Sequence, residues 1–209
     1  MSNTSPDDNV GSPYPDGIPN RHRMGFIPVG LVMGAHPAEF NDAIKTVAGL
    51  LDRPVQFEDE HKYVHEITAA AIHPETRWLA WVECICNDQD RRFVDVHFYL
   101  RAQMDGELAI NWEIETYNPY FGCQVGYLNW HGKRLVMVYR EKHNTYVAVL
   151  CRGGFRHHLQ ISDDWIVRDG FIVFIDKEEQ NVRRLLLPRL QERRRLSLRE
   201  ARQAGYLEP

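Results

Sequence analysis

The chain has 209 residues, with 25 Lys and Arg against 29 Asp and Glu for a formal net charge of −4, and 44% hydrophobic residues. These are the values of a soluble globular domain, and they exclude collagen-like, mucin-like and wholly disordered classes. A chain of this length buries roughly 70% of its unfolded surface, enough to fold without metal or disulfide staples.

Residues 1–24 hold four of the eleven prolines and only isolated apolar residues. Such a segment buries too little surface to offset the entropy of ordering, so a disordered arm is expected. Its start is acidic and polar, with no basic region ahead of an apolar run, which argues against a signal peptide or presequence. The longest uncharged, largely apolar run, 25–35, falls far short of the ~20 residues of a spanning helix. Four cysteines (Cys84, Cys86, Cys123, Cys151) in such a chain read as reduced thiols, and a cytoplasmic location follows.

The run 25–35 suits a short buried strand. Pro37 then occupies a first helical position. Phe40, Ile44, Val47 and Leu51 recur every three or four residues until Pro54, which predicts one amphipathic helix of about fifteen residues.

From Tyr63 to Ile175 the period changes to two. Ten strands are predicted, at about 63–72, 77–86, 91–102, 107–116, 123–130, 133–140, 145–151, 155–161, 164–168 and 171–175, with linkers short enough for antiparallel hairpins. Ten strands fill only about two and a half propeller blades, which disfavours a propeller. Asp169-Gly170 is the clearest two-residue turn. The hairpin around Met104-Asp105-Gly106 is predicted to use a three-residue loop. A simple two-residue loop pairs Phe98 with Glu113 and mixes polar with apolar on both faces. The longer loop pairs Leu100 with Ile110, Phe98 with Trp112 and Val96 with Ile114. Its other face then carries Asp95 opposite Glu115, His97 opposite Glu113 and Tyr99 opposite Asn111.

After Asp176 the sequence EEQNVRRLLLPRLQERRRL has helical character, interrupted at Pro188. Ser197 and Glu200 form a capping box for a last short helix ended by Gly205. The predicted fold class is therefore α+β: one N-terminal helix, a long antiparallel β-meander curled into a barrel-like or sandwich sheet, and C-terminal helices. The predicted organisation is an arm at 1–24, a helix-plus-meander domain at 25–176 and an Arg-rich helical segment at 177–209.

Three sets of residues are candidates for function. The polar face of the 91–116 hairpin offers Asp95, His97, Glu113 and Glu115 as divalent-cation ligands, or His97 and Glu113 as an acid–base pair. A solvated antiparallel face alternates in the same way. The loop 117–122 places Tyr117, Tyr120 and Phe121 around Asn118-Pro119, as anchors for a partner or as a plug for the sheet. Residues 180–209 carry eight arginines against three glutamates and leave 17 basic and 26 acidic residues elsewhere. Within that segment Arg193, Arg194 and Arg195 cannot all face inward on a helix.

No Walker loop, dinucleotide fingerprint or nucleophile elbow is present. The acidic whole, without a recognisable nucleic-acid-binding fold, argues against nucleic acid. The expected function is a non-enzymatic binding or adaptor module with no resident cofactor, engaging a protein partner through the aromatic loop and the basic C-terminal helix. The alternative is a metal-dependent enzyme or ligand-binding protein using the 95/97/113/115 face.

Overall fold

The structure is a computed structural model that describes residues 41–89, 92–114, 123–141, 144–176 and 178–207. The expected arm 1–24, the strand at 25–35 and the start of the first helix lie outside them. Helix α1 (Asn41–Leu50) buries Ile44, Val47 and Ala48 in one stripe, as the periodicity predicts. It ends in a Schellman turn: the Arg53 amide reaches back to the Ala48 carbonyl (3.1 Å) and Asp52 takes the left-handed conformation at φ 52°. That turn throws Arg53 across the first sheet.

Among the described residues fourteen strands follow in three antiparallel sheets, of which A and B run up and down in chain order. Sheet A contains β1 (Gln56–Glu58), β2 (Tyr63–Ile72), β3 (Leu79–Gln89), β4 (Arg92–Met104) and β5 (Glu107–Ile114). Sheet B contains β6 (Cys123–His131), β7 (Arg134–Glu141), β8 (Asn144–Cys151) and β9 (Gly154–Ile161). Sheet C contains β10 (Trp165–Arg168), β11 (Phe171–Asp176), β12 (Asn181–Leu186), β13 (Gln191–Glu192) and β14 (Leu196–Ser197), with β13 and β14 both paired to β12. All ten predicted strands are present, as β2 to β11.

The sheets stack face to face, and β7 shows why. Leu135, Met137 and Tyr139 enter a core shared with sheet A and α1, while the alternating Val136 and Val138 enter a second core shared with sheet C. Sheet B is apolar on both faces because it is the middle layer. A third small cluster joins Val173, Val182 and Leu196 of sheet C to Ala201 of helix α2 (Leu198–Gln203). The architecture is thus α+β with sandwich-like character, and its sheets are open rather than closed into a barrel. Successive meanders stacked in this way resemble propeller blades, but three are fewer than the four or more that close a ring.

Two expectations are corrected. The segment 181–186 is strand β12, not helix: Val182 and Leu185 complete the apolar surfaces on opposite faces of β11, and that pairing overrides the helix propensity of Arg and Leu. Only the last short helix stands, with the Ser197–Glu200 capping box in place and Gly205 at φ 73°. The 104–106 hairpin has a two-residue turn, Asp105 (φ 55°) and Gly106 (φ 81°), followed by a bulge at Ala109. The pairs are Phe98 with Ile114, Leu100 with Trp112 and Ala102 with Ile110. The bulge restores the parity that a plain two-residue loop breaks, so apolar residues still meet apolar ones in a register two residues from the predicted one.

Candidate functional site

Glu83 lies mid-strand in β3, fully buried, on the face of sheet A turned away from sheet B. Its Oε1 accepts from Arg53 Nη1 at 2.6 Å and lies 3.2 Å from His65 Nδ1, while Oε2 accepts from Arg101 Nη1. His65 stacks on Phe57 at 4.7 Å and places its Nε2 3.2 Å from Asp59 Oδ2. Asp59 Oδ1 takes the amides of His61 and Tyr63, each at 2.9 Å. The chain Asp59–His65–Glu83 therefore ends on two guanidiniums, and Arg101 Nε continues it to Asn111 Oδ1 at 3.2 Å.

Burial pushes the Glu83 carboxyl up, but the Arg53 hydrogen bond and charge, then the Arg101 charge and His65, outweigh it and hold it below the usual carboxylate range. The Tyr63 amide, chiefly, holds Asp59 low as well. These ion pairs hold the buried Glu83 carboxylate in its charged form.

Beside it, His97 Nδ1 meets Glu113 Oε1 at 2.7 Å, and the His97 ring stacks on Tyr99 at 6.2 Å. The predicted contact is made, but along the diagonal, because Glu113 stands directly opposite Tyr99. His97 and Glu113 keep 45% and 50% of their side-chain surface, so this pair sits on an open sheet face. The side chain of Asp95, and Glu115 altogether, lie outside the described residues, and so does the predicted cation site that needs them. Among the described residues no group of three or more His, Cys, Asp or Glu is arranged to hold a metal ion. The aromatic loop with Tyr117, Tyr120 and Phe121 also lies outside them. Cys84 and Cys86 are buried in the core, as expected.

The predicted arginines Arg193, Arg194 and Arg195 are exposed, but they link β13 to β14 at the edge of sheet C and do not form a helix. Opposite them on β12 stand Arg183 and Arg184. Three of these five are neutralised internally. Arg183 pairs with Glu192 at 2.9 Å, Arg194 with Glu200 at 2.6 Å, and Arg195 with Glu179 and with Glu192 at 2.7 Å. Arg184 and Arg193 have no carboxylate partner among the described residues. Arg184 lies over the rings of Phe171 (4.7 Å) and Tyr206 (5.4 Å), and Arg168 lies over Tyr206 at 5.9 Å. Glu83, Arg53 and Arg184 went unread in the sequence. Glu83 had a signal, a lone charge inside the apolar run WLAWVECIC, and Arg184 was counted only as one of the eight arginines of 180–209, whereas Arg53 had none.

A shallow groove of about 200 Å³ between the end of α1 and the tips of two sheet A hairpins is lined by Leu50, Trp78 and Leu79, with Arg77, Gln103 and Asp105. Among the described residues no helix is long and apolar enough to cross a membrane.

No protein-family model matches the chain, and no curated protein matches it. Among solved structures it is similar to the dihydro-heme d1 dehydrogenase NirN in complex with DHE, at a TM-score of 0.31 and 9% identity, over 69% of this chain and 43% of that one. The chain spans less than half of that protein, and a likeness at this level transfers no activity.

Proposed function

We propose that the protein is a non-catalytic binding module of the cytoplasm that engages an acidic protein partner through the arginine edge of sheet C. The observation that carries this reading is the charge balance at that edge: five neighbouring arginines stand against four paired carboxylates, Asp176, Glu179, Glu192 and Glu200, and Arg184 and Arg193 have no carboxylate partner among the described residues. A surplus of positive charge on an exposed rim attracts an acidic surface. The net charge of −4 for the whole chain disfavours nucleic acid. The His97–Glu113 pair supports the metal-dependent or enzymatic alternative less well, because an open sheet face neither excludes water nor encloses a substrate.

The test is fluorescence anisotropy with a labelled Asp-rich peptide. Wild-type protein binds it with an affinity that falls steeply with salt. Arg193→Glu removes binding and leaves the melting temperature unchanged, since the Arg193 side chain makes no described ion pair. Retained binding in Arg193→Glu refutes the assignment. This single reversal is cleaner than reversing all three arginines, because Arg194 and Arg195 hold internal glutamates.

A further inference from the structure

Strand pairing fixes where the two unneutralised arginines point. Leu185 stands opposite Glu192, and the next bond of the ladder runs from the Arg193 amide to the Arg184 carbonyl at 2.9 Å. The Arg193 backbone, one residue past β13, therefore lies across from that of Arg184, where opposed strand residues have Cβ atoms about 5 Å apart on one face. That face is the one α2 covers, because Val173 is the β11 partner of Arg184 and belongs to the α2 cluster. Like charges placed directly opposite are destabilising unless something neutralises them.

Arg184 is also built in rather than loose. Its guanidinium is stacked on Phe171 and Tyr206, and its Nε is buried with no acceptor among the described residues. Two guanidiniums offer two forks of N–H donors and two positive charges. A carboxylate supplies one charge and two oxygens. A phosphomonoester supplies about −1.5 to −2 and three oxygens, and it accepts bidentate arginine bonds.

We propose that Arg184 and Arg193 form a clamp for a phosphorylated side chain of the protein partner, with Phe171 and Tyr206 holding the Arg184 fork in place. The proposal rests on the docking reading above and names the chemistry of its centre. A phosphopeptide fits better than a phospholipid headgroup. Among the described residues the exposed large apolar side chains are Leu50 and Leu108, both on the sheet A side of the stack, so the clamp has no neighbouring residue to enter a bilayer.

The experiment titrates the full chain with three labelled peptides that differ at one central position: phosphoserine, aspartate or serine. The phosphoserine peptide is expected to bind about tenfold tighter than the aspartate one, the gain of a second charge-assisted fork. Arg193→Gln and Arg184→Lys each remove that preference, the lysine because it keeps the charge but loses the fork. Arg193 is exposed, so its variant keeps the test open even if replacing Arg184 disturbs folding. Equal affinity for the phosphoserine and aspartate peptides overturns the clamp. If that equal binding still depends on Arg193, the docking reading survives alone. A phosphoserine preference without any binding of the aspartate peptide keeps the clamp and removes general acidic docking. A preference that persists in both variants, or phosphatidylserine vesicles bound in place of the peptide, refutes it.

Discussion

Replacing Glu83 by Gln keeps the shape of the side chain and removes its charge, leaving Arg53 and Arg101 without the carboxylate both grip. Losing one member of a buried ion pair costs about 3–5 kcal/mol when the remaining charge is trapped. Here the stranded arginines keep 21% and 24% of their side-chain surface, so they turn partly to water and the cost falls to about 2–4 kcal/mol. At roughly 2–4 °C per kcal/mol for a chain of this size, the melting temperature drops by about 4–16 °C. Urea titration is the direct assay, with the midpoint lowered and the slope unchanged. The double variant Arg53→Met, Glu83→Gln completes the cycle: its cost is smaller than the sum of the two single costs, because the pair is then removed together. A Glu83→Gln loss below about 1 kcal/mol, or strictly additive costs, refutes the view that this network ties α1 to sheet A.

Gly106→Val is expected to cost about 1–2 kcal/mol although a Cβ there meets nothing within 4 Å, since the penalty is purely that of a β-branched residue at φ 81°. Gly106→Asn costs less, and equal melting temperatures for the two variants refute the two-residue turn. Acid weakens the fold in two stages. Burial holds His131 and His158 below the usual 6.5, so the stability they contribute as neutral rings is present above that value and is lost as the pH falls through it. Glu83, depressed below 4.5, contributes above that value and loses its share below it. The urea-midpoint gap between wild type and Glu83→Gln therefore holds steady above about pH 5 and closes in stronger acid; a gap that widens in acid contradicts the assignment.

What the sequence revealed depended on how far each signal reaches. Short β-branched and aromatic runs between turn signals are read without knowing the partner strand, so β2 to β11 were legible. Face parity was legible too: Phe98, Leu100 and Trp112 had to share a face, and they do. The device that achieves this was not, because a three-residue loop and a two-residue turn with a bulge at Ala109 satisfy the same pattern. The difference moves Glu113 from His97 to Tyr99, yet their hydrogen bond survives, since a diagonal neighbour remains within reach of two long side chains.

Strand β12 was misread for a different reason. Arg and Leu favour a helix locally, and only the exposed faces of β11 decide otherwise. The arginine edge combines both difficulties. Its geometry depends on β13, a strand of two residues, too short to leave any periodicity. A run of RRR on a helix fans its charges around the axis. At the edge of a sheet, opposite RR on β12, the same residues divide by face: Arg183 goes with Glu192, and Arg184 with Arg193. That division gives Arg183 an internal carboxylate and leaves Arg184 and Arg193 without one among the described residues, and no count of charges along the chain distinguishes them.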